Sequence, residues 1–559
     1  MSQPGQEWPR RSAPQRDAKG RRVVRIAVEG CAHGELDSIF EAVEHAERFE
    51  GVPIDLVLCC GDFQAVRNEQ DLETMQCPLK YRSMNTFYKY YSGEKAVPRP
   101  VVFIGGNHEA SSHLQELPLG GWAAPGVYFL GNSGVVKFRG VRIGGMSGIF
   151  KSHDFWKPRR ERPPFYGGSM SAVYHQRWQE TAMLLALRSD RSDGPAGAEA
   201  GSAKDAAAAP RPGLDVCASH DWPISAVSRG HWRSLKRHFQ SDIHRGQLGS
   251  PAASLVLRSL RPAFWFSAHL HCKYAALLRH PMQPPPADVL AGAGELAAEE
   301  AAEAARVASQ GRGGDSGGDG EGPAAEAPAV TRFLALDKPI PGRSFLHVVE
   351  VPIPDHVGDE EASLASLCFD PEWCAVLRNA FGKAAAAAAR PAVPQGTLAL
   401  SGERLAPSRE DVGAAEAALR AAFGAGDWSG GAGAAPASEG SSVAGPVAIP
   451  PQCPQTVPAF RCPEGFDPSS STGSSCAGGH GDGNPARRGR MATQWGYPGP
   501  RMPQPAPRGS PQTDALALAL ELDHAAFNGV PFAGPLAPEE YERIPAAEAS
   551  ADDNELSLD

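Results

Sequence analysis

Residues 23–62 read VVRIAVEGCAHGELDSIFEAVEHAERFEGVPIDLVLCCGD. VVRIAVEG is a β-branched apolar run of strand length that ends on a glycine. ELDSIFEAVEHAERF follows with apolar residues at helical spacing, and Ile54 to Leu58 forms a second short apolar run ending in CCGD. Strand, helix, strand is the expected order. The polar residues with chemistry to offer, Cys31, His33 and Asp62, stand just beyond the two strands, where open sheets place ligand sites.

The same punctuation continues outward. Val101 to Ile104 ends in GGNHE, and GVYFLGN, VVKFRGVRIGG, LDVCASHD, AFWFSAHLH and YAALL supply further short strands broken by glycine. Short buried strands mixed with helices indicate an α/β or α+β layered domain. Residues 191–212 and 283–330 interrupt it with Ala/Gly/Pro/Glu-rich text, expected to be surface insertions without fixed structure. Strand character returns in TRFLALDKPIPGRSFLHVVEV (331–351), so the core is expected to close near residue 352. DPEWCAVLRNAF (370–381) reads as an amphipathic helix. The expected division is a disordered leader over 1–22, a catalytic domain over 23–352, a C-terminal segment over 353–385 and a largely disordered tail over 386–559. One late helix is expected in that tail, TDALALALELDHAAF (513–527).

Composition narrows the class. Gly and Pro make up 112 of 559 residues, about a fifth against an ordinary share of ~12%. The folded part is therefore shorter than the chain. No apolar run approaches the ~20 residues of a membrane span, and the N-terminus lacks the apolar centre of a secretory signal. Eleven cysteines without CxxC pairs suit a reducing compartment. The net charge of −10 argues against whole-molecule attraction to nucleic acid and leaves room for a local basic patch.

Five clusters stand at strand ends: Cys31-Ala-His33, Gly61-Asp62, Gly106-Asn107-His108-Glu109, Ser219-His220-Asp221 and His269-Leu-His271. Singly, each has a plain structural explanation. Together they form a coherent set, because C-x-H and H-x-H place two side chains on one side of an extended segment. Carboxylate, amide oxygen and imidazole are donors suited to first-row divalent metals. Two such ions ~3.5–4 Å apart hold a phosphate and stabilise the entering and leaving oxygens of a displacement.

The order of clusters resembles the calcineurin-like metallophosphoesterases, whose pattern is DxH, GD, GNH[ED], a lone His and HxH. The resemblance implies a β-sandwich flanked by helices. It implies that Asp62 bridges two metals, that His33, His271 and Cys31 complete one site, and that Asn107, His220 and His269 complete the other. His108 would protonate the leaving oxygen, and Glu109 would orient its imidazole. Cys31 stands where most members have Asp, and a thiolate favours Zn²⁺ or Fe²⁺ over Mg²⁺. That departure, with EGCAHGELD, LCCGDFQAVRNEQDLETMQCPLKYR, SHDWP and WFSAHLHCKYAAL, is similar to the RNA lariat debranching enzymes. The likeness covers about 23–281 and 331–381, with an echo at PQTDALALALEL. It implies hydrolysis of the 2′,5′-phosphodiester at the branch of excised introns, with one or two Fe²⁺, Zn²⁺ or Mn²⁺ ions as cofactors. It further implies branched intron RNA as partner and nuclear residence. Splicing-associated proteins are candidate partners of the tail.

Between Lys137 and Arg188 there are ten Lys/Arg and three Asp/Glu, a local +7. Within it KSHDFWKPRRERPPFY interleaves cations with aromatics, the pairing that single-stranded or branched RNA requires. Lys151, Phe155, Trp156, Lys157, Arg159, Arg160, Arg162 and Tyr166 are the candidate RNA contacts. The stretch of about 137–178 resembles the family's lariat recognition loop. His113, His153 and His175 match no ligand position and are expected as surface or RNA-facing side chains. Cys59, Cys60 and Cys217 are expected as packing, and Trp222 as the residue fixing the loop of His220. Two rival readings use the same fold: a phosphatase or nucleotide phosphodiesterase, and a non-catalytic module that has lost its metals.

Overall fold

A computed structural model describes residues 12–187, 213–235, 237–280, 330–382 and 405–423, with Val447, Ile449, Gln504 and residues 510–522. The expected insertion 191–212, nearly all of 283–330 and most of the expected tail lie outside the described residues. The first sheet contains β1 (Gln15–Arg16), β2 (Arg22–Glu29), β3 (Leu56–Cys59), β4 (Val101–Phe103), β5 (Gly121–Ala124) and β6 (Val127–Phe129). The second contains β7 (Ser133–Phe138), β8 (Val141–Met146), β9 (Val216–Ser219), β10 (Phe264–Ser267), β11 (Tyr274–Arg279) and β12 (Val330–Ala335). Strand β13 (Leu346–Pro352) returns to the first sheet beside β2, and β14 (Leu367–Phe369) closes the second beside β7. Each sheet has a parallel centre, β2–β3–β4–β6 and β12–β10–β9–β8, with antiparallel strands at its margins.

The period of two along the central strands assigns the layers. Val24, Ile26, Val28, Leu56, Leu58, Val102 and Ile104 face one continuous core with Val136, Ile143 and Val216 of the second sheet. The alternate residues Ala27, Val57, Cys59, Val101 and Phe103 pack on the other face against Leu36, Ile39, Phe40 and Val43 of the helix Leu36–Glu50. This is the helix-flanked sandwich the sequence led us to expect. TRFLALDKPIPGRSFLHVVEV, a single strand-like stretch in the sequence, divides between the two sheets as β12 and β13.

Two boundaries need correction. The chain joins the fold before residue 23: β1 pairs with the start of β2, and the Ser12 amide donates to the Ser363 carbonyl at 2.9 Å. Arg139, at the turn of the β7–β8 hairpin, fixes that entry by donating to the Ser12 carbonyl at 2.7 Å. The tail also contributes ordered structure. A helix over Arg409–Phe423 buries Ala415 and Leu419, four residues apart, beside the helix Pro371–Phe381. Val447 and Ile449 bond to the backbone of β14 as a short strand would. The expected late helix is present as Pro511–Ala519, capped by the Ser510 hydroxyl.

Candidate metal centre

Parallel pairing brings the C-terminal ends of adjacent strands to one rim. β2 delivers Cys31 and His33, β3 delivers Asp62, and β4 delivers Asn107 and His108. From the facing sheet β9 delivers His220, and β10 delivers His269 and His271. The loops are tied to each other: the His33 amide donates to the Asp62 carbonyl at 2.6 Å, and the Ala268 amide donates to that of His220 at 3.2 Å. His33, Asp62, His269 and His271 adopt left-handed backbone conformations, with φ of 45°, 45°, 67° and 46°. Such conformations cost L-residues free energy and concentrate at functional sites. Glycine is required at two neighbouring positions. A Cβ on Gly61 would lie 2.3 Å from His220 Nδ1, and one on Gly106 would lie 2.2 Å from Asp62 Oδ1.

The donor atoms of Cys31, His33, Asp62 and His271 all lie within 4.8 Å of one another. His33 Nε2 and His271 Nε2 are 3.3 Å apart, and His271 Nδ1 is buried without a partner. Burial pushes the imidazoles of His33 and His269 down to about 3 and that of His271 to about 2, so all three are neutral bases at pH 7. The second group is centred on His220. Its Nδ1 pairs with the Cys60 carbonyl at 2.9 Å, and its Nε2 stands 3.1 Å from Asn107 Oδ1 and 3.3 Å from Asp62 Oδ1. A ring nitrogen facing two oxygens carries either a proton or a metal ion, and, burial notwithstanding, Asp62 raises the pKa of His220. The His269 ring stands 5.0 Å from the His220 ring.

Asp62 belongs to both groups. Burial opposes its charge, yet the neighbouring imidazoles, His220 foremost, hold its carboxyl well below the usual range. Burial, with Asp62 and Glu29 nearby, pushes the Cys31 thiol well above its ordinary value. The His269 amide donates to Cys31 Sγ at 3.1 Å and opposes that shift. A bound cation is the remaining influence that would make Cys31 a thiolate. Neutral imidazoles, a shared ionised carboxylate and an amide oxygen suit divalent metal ions, so the residues present fit the group the family implies.

A calcineurin-like phosphoesterase family model matches residues 24–273, the span that carries all seven donors. A model for the C-terminal domain of lariat debranching enzymes matches residues 328–411. The lariat debranching enzyme of Danio rerio is 42% identical over 358 residues, 64% of this chain and 51% of that one. That of Drosophila melanogaster is 46% identical over 359 residues, 64% of this chain and 61% of its own length. The Arabidopsis thaliana enzyme is 38% identical over 359 residues, 64% of this chain and 68% of its own length. The chain belongs to the lariat debranching enzyme family. It spans about half the length of the vertebrate relatives it matches.

In this debranching-enzyme-family chain the surroundings of His108 differ from expectation. Glu109 does not orient the imidazole. Its buried carboxylate accepts from the amides of Phe63 at 2.7 Å, Gln64 at 2.8 Å and Gly106 at 2.7 Å, fastening the Asp62 loop to the Asn107 loop. His108 Nδ1 instead pairs with the Gln76 carbonyl at 3.0 Å, while its amide donates to Asp62 Oδ1 at 2.8 Å. The sequence carries no signal for Gln76, because a main-chain carbonyl acts there and side-chain identity does not matter. Gln64, whose amide lies 2.9 Å from His33 Nδ1, was also missed. Its side-chain NH₂ donates to Nδ1 and holds the ring in place beside Asp62.

Replacing Glu109 with Gln sets an NH₂ group where a main-chain N–H now donates. We expect a loss of ~2–3 kcal/mol in unfolding free energy and a roughly 10–100-fold weaker metal affinity. Denaturant titration and metal-binding titration of the purified variant check both.

The candidate RNA contacts divide. Trp156 and Tyr166 are exposed, 39% and 58% respectively. Lys157 and Arg160 are exposed, and Lys151 and Arg162 are half-buried. Phe155 is not available: it packs in the core against Phe150 and Trp178. Nor is Arg159, whose guanidinium pairs with Glu180 at 2.8 Å and donates to the carbonyls of Val173 and His175. A loop that builds its own small core must spend some aromatics and cations internally. For the same reason His175 is buried against Asp154 at 2.7 Å. His113 is buried beside Phe87 and Tyr91 and pairs with the Ala65 carbonyl. His153 is exposed, as expected. Cys59, Cys60 and Cys217 are buried free thiols, and Trp222 bonds the Ala268 carbonyl at 2.6 Å, bracing the loop of His269.

Proposed function

We propose that the protein hydrolyses the 2′,5′-phosphodiester at the branch point of lariat RNA, leaving a 5′-phosphate and a free 2′-hydroxyl. The observation that carries this reading is the pair of donor groups sharing Asp62, with a cationic, aromatic loop rooted on the same loops. The Gly148 amide donates to the Gly105 carbonyl at 2.9 Å, and the Phe150 amide donates to Asp221 Oδ2 at 3.2 Å. The loop is thereby placed against both the Asn107 and the His220 segments. Exposed Trp156 and Tyr166 offer faces for unstacked bases, and Lys157 and Arg160 offer charge for phosphates.

Cys31, His33, Asp62 and His271, and Asn107, His220 and His269, would hold the divalent cations, which would supply Lewis acidity and activate water when bound. Cys31 favours Fe²⁺ or Zn²⁺, with Mn²⁺ the third candidate. His108 is the proton donor: with Nδ1–H held on the Gln76 carbonyl, Nε2–H of the imidazolium is free to protonate the departing 2′-oxygen. Its ring lies 6.1 Å from that of His33, within reach of a phosphate seated at the donors. The substrate places the protein in the nucleus, where introns are excised, with splicing-associated proteins as partners of the tail.

The test compares a synthetic RNA carrying one 2′,5′ branch with its linear counterpart. Protein reconstituted with Fe²⁺, Zn²⁺ or Mn²⁺ is expected to cleave at the branch alone, and a chelator is expected to abolish cleavage. Rapid hydrolysis of small phosphoesters with inert branched RNA would replace this reading with a phosphatase. Inactivity toward every substrate with all three metals would point to a binding module.

A further inference from the structure

Gln504 lies 339 positions beyond the loop it touches. The Phe165 amide donates to Gln504 Oε1, and Gln504 Nε2 donates to the Phe165 carbonyl at 2.9 Å. One primary amide thus satisfies both main-chain groups of one residue, as a neighbouring strand would. Eight residues later the arrangement recurs. The Trp122 amide donates to Gln512 Oε1 at 2.8 Å, and Gln512 Nε2 donates to the Trp122 carbonyl at 3.0 Å. Thr513 adds a bond from its hydroxyl to the Glu116 carbonyl at 2.9 Å, and Leu516 and Leu520 are buried. Trp122 belongs to β5, the margin of the first sheet. Residues 510–522 are therefore fixed on the catalytic domain, and Gln504 is bonded to the loop.

The point of attachment is specific. Phe165 is buried in the loop's own small core with Ile149, Val173 and Tyr174, and Tyr166, the next residue, is exposed. The base of the loop is bonded to the ligand loops at Gly148 and Phe150. Gln504 engages a part of the loop remote in sequence from that base, beside one of its two exposed rings.

We propose that Gln504 is a positioning residue, and that the tail acts through it as a strap holding the recognition loop in the conformation that receives branched RNA. The proposal rests on the lariat reading above. It assigns the strap to substrate capture and not to the metal centre: among the described residues, the hydrogen bonds of Gln504 go to Phe165. The strap joins one segment far along the chain to two separate parts of the catalytic domain, so loop geometry depends on residues the family's catalytic motifs do not include.

The experiment uses the full chain with Gln504→Ala and Gln504→Glu. Two readouts are taken: amide hydrogen exchange of the peptide containing Phe165, and steady-state kinetics on branched RNA and on bis(p-nitrophenyl) phosphate. Gln504→Ala is expected to speed exchange at Phe165 and raise KM for branched RNA about tenfold. Its kcat, metal content and small-diester hydrolysis are expected to stay within twofold of wild type. Gln504→Glu keeps the acceptor and loses the donor, so its KM is expected between the two. Unchanged exchange with unchanged KM would overturn the strap. So would an equal fall of kcat on both substrates, because that result would assign Gln504 to the fold or the metal centre. If the wild type leaves branched RNA intact, the lariat reading fails, and the exchange measurement still decides whether Gln504 docks the loop.

Discussion

His108→Ala is expected to lower kcat on branched RNA by ~10²–10⁴-fold, the range for loss of a positioned general acid. Metal content and affinity for the uncleaved branch are expected to stay near wild type. The argument follows from which atoms His108 uses. Its bond to Asp62 comes from the backbone amide, at 2.8 Å, and survives truncation of the side chain. Its ring meets the Gln76 carbonyl and no metal-site donor in a hydrogen bond, so alanine removes the proton and leaves the donors in place. A substrate with a leaving group of low pKa needs less protonation, so the variant should lose least on an activated aryl phosphodiester. Equal losses on activated and natural substrates, or turnover near wild type, would remove His108 from the acid role.

Asp62→Asn is expected to be the more complete lesion. The side chain is almost fully buried, lies 3.3 Å from His220 Nε2 and 3.9 Å from His33 Nε2, and is the one carboxylate common to both donor groups. Asparagine keeps the volume and one oxygen while removing the charge that balances bound cations. We expect metal content after reconstitution to fall to a small fraction of wild type. Turnover should fall further than the ~10–100-fold typical of an outer-shell change. Elemental analysis of the purified variant, beside circular dichroism to confirm the fold, makes the comparison. Full metal occupancy in Asp62→Asn would mean that the two groups do not share this carboxylate.

The contrast between these residues and their neighbours shows what a sequence discloses. The seven candidate donors stand out in the sequence because their chemistry resides in side chains at strand ends, and the resemblance to the metallophosphoesterases orders them into two groups. Gln76 and Cys60 do not stand out, since each acts through a carbonyl that any residue possesses. The resemblance implies that Glu109 orients the His108 imidazole. The fold instead turns that carboxylate toward three main-chain amides from two loops. Alternating cations and aromatics describe an RNA-facing loop equally well before and after it turns two of the eight, Phe155 and Arg159, inward. The helix Arg409–Phe423 is Ala-rich like the low-complexity text around it, and its two buried side chains, Ala415 and Leu419, make only a faint stripe.

The division of β12 and β13 between the two sheets acquires a temporal meaning during synthesis. Every candidate donor has been joined to the chain once His271 is added. Yet β10 has only β9 beside it, and β2 only β1 and β3, until residues 330–352 supply β12 and β13. At ~5–20 residues per second this interval lasts roughly 4–16 s. For that time a nascent chain carries imidazoles and a thiol with no closed sandwich to hold them in register. The candidate site therefore takes its final shape only once β12 and β13 are made, although the last of its donors, His271, precedes both.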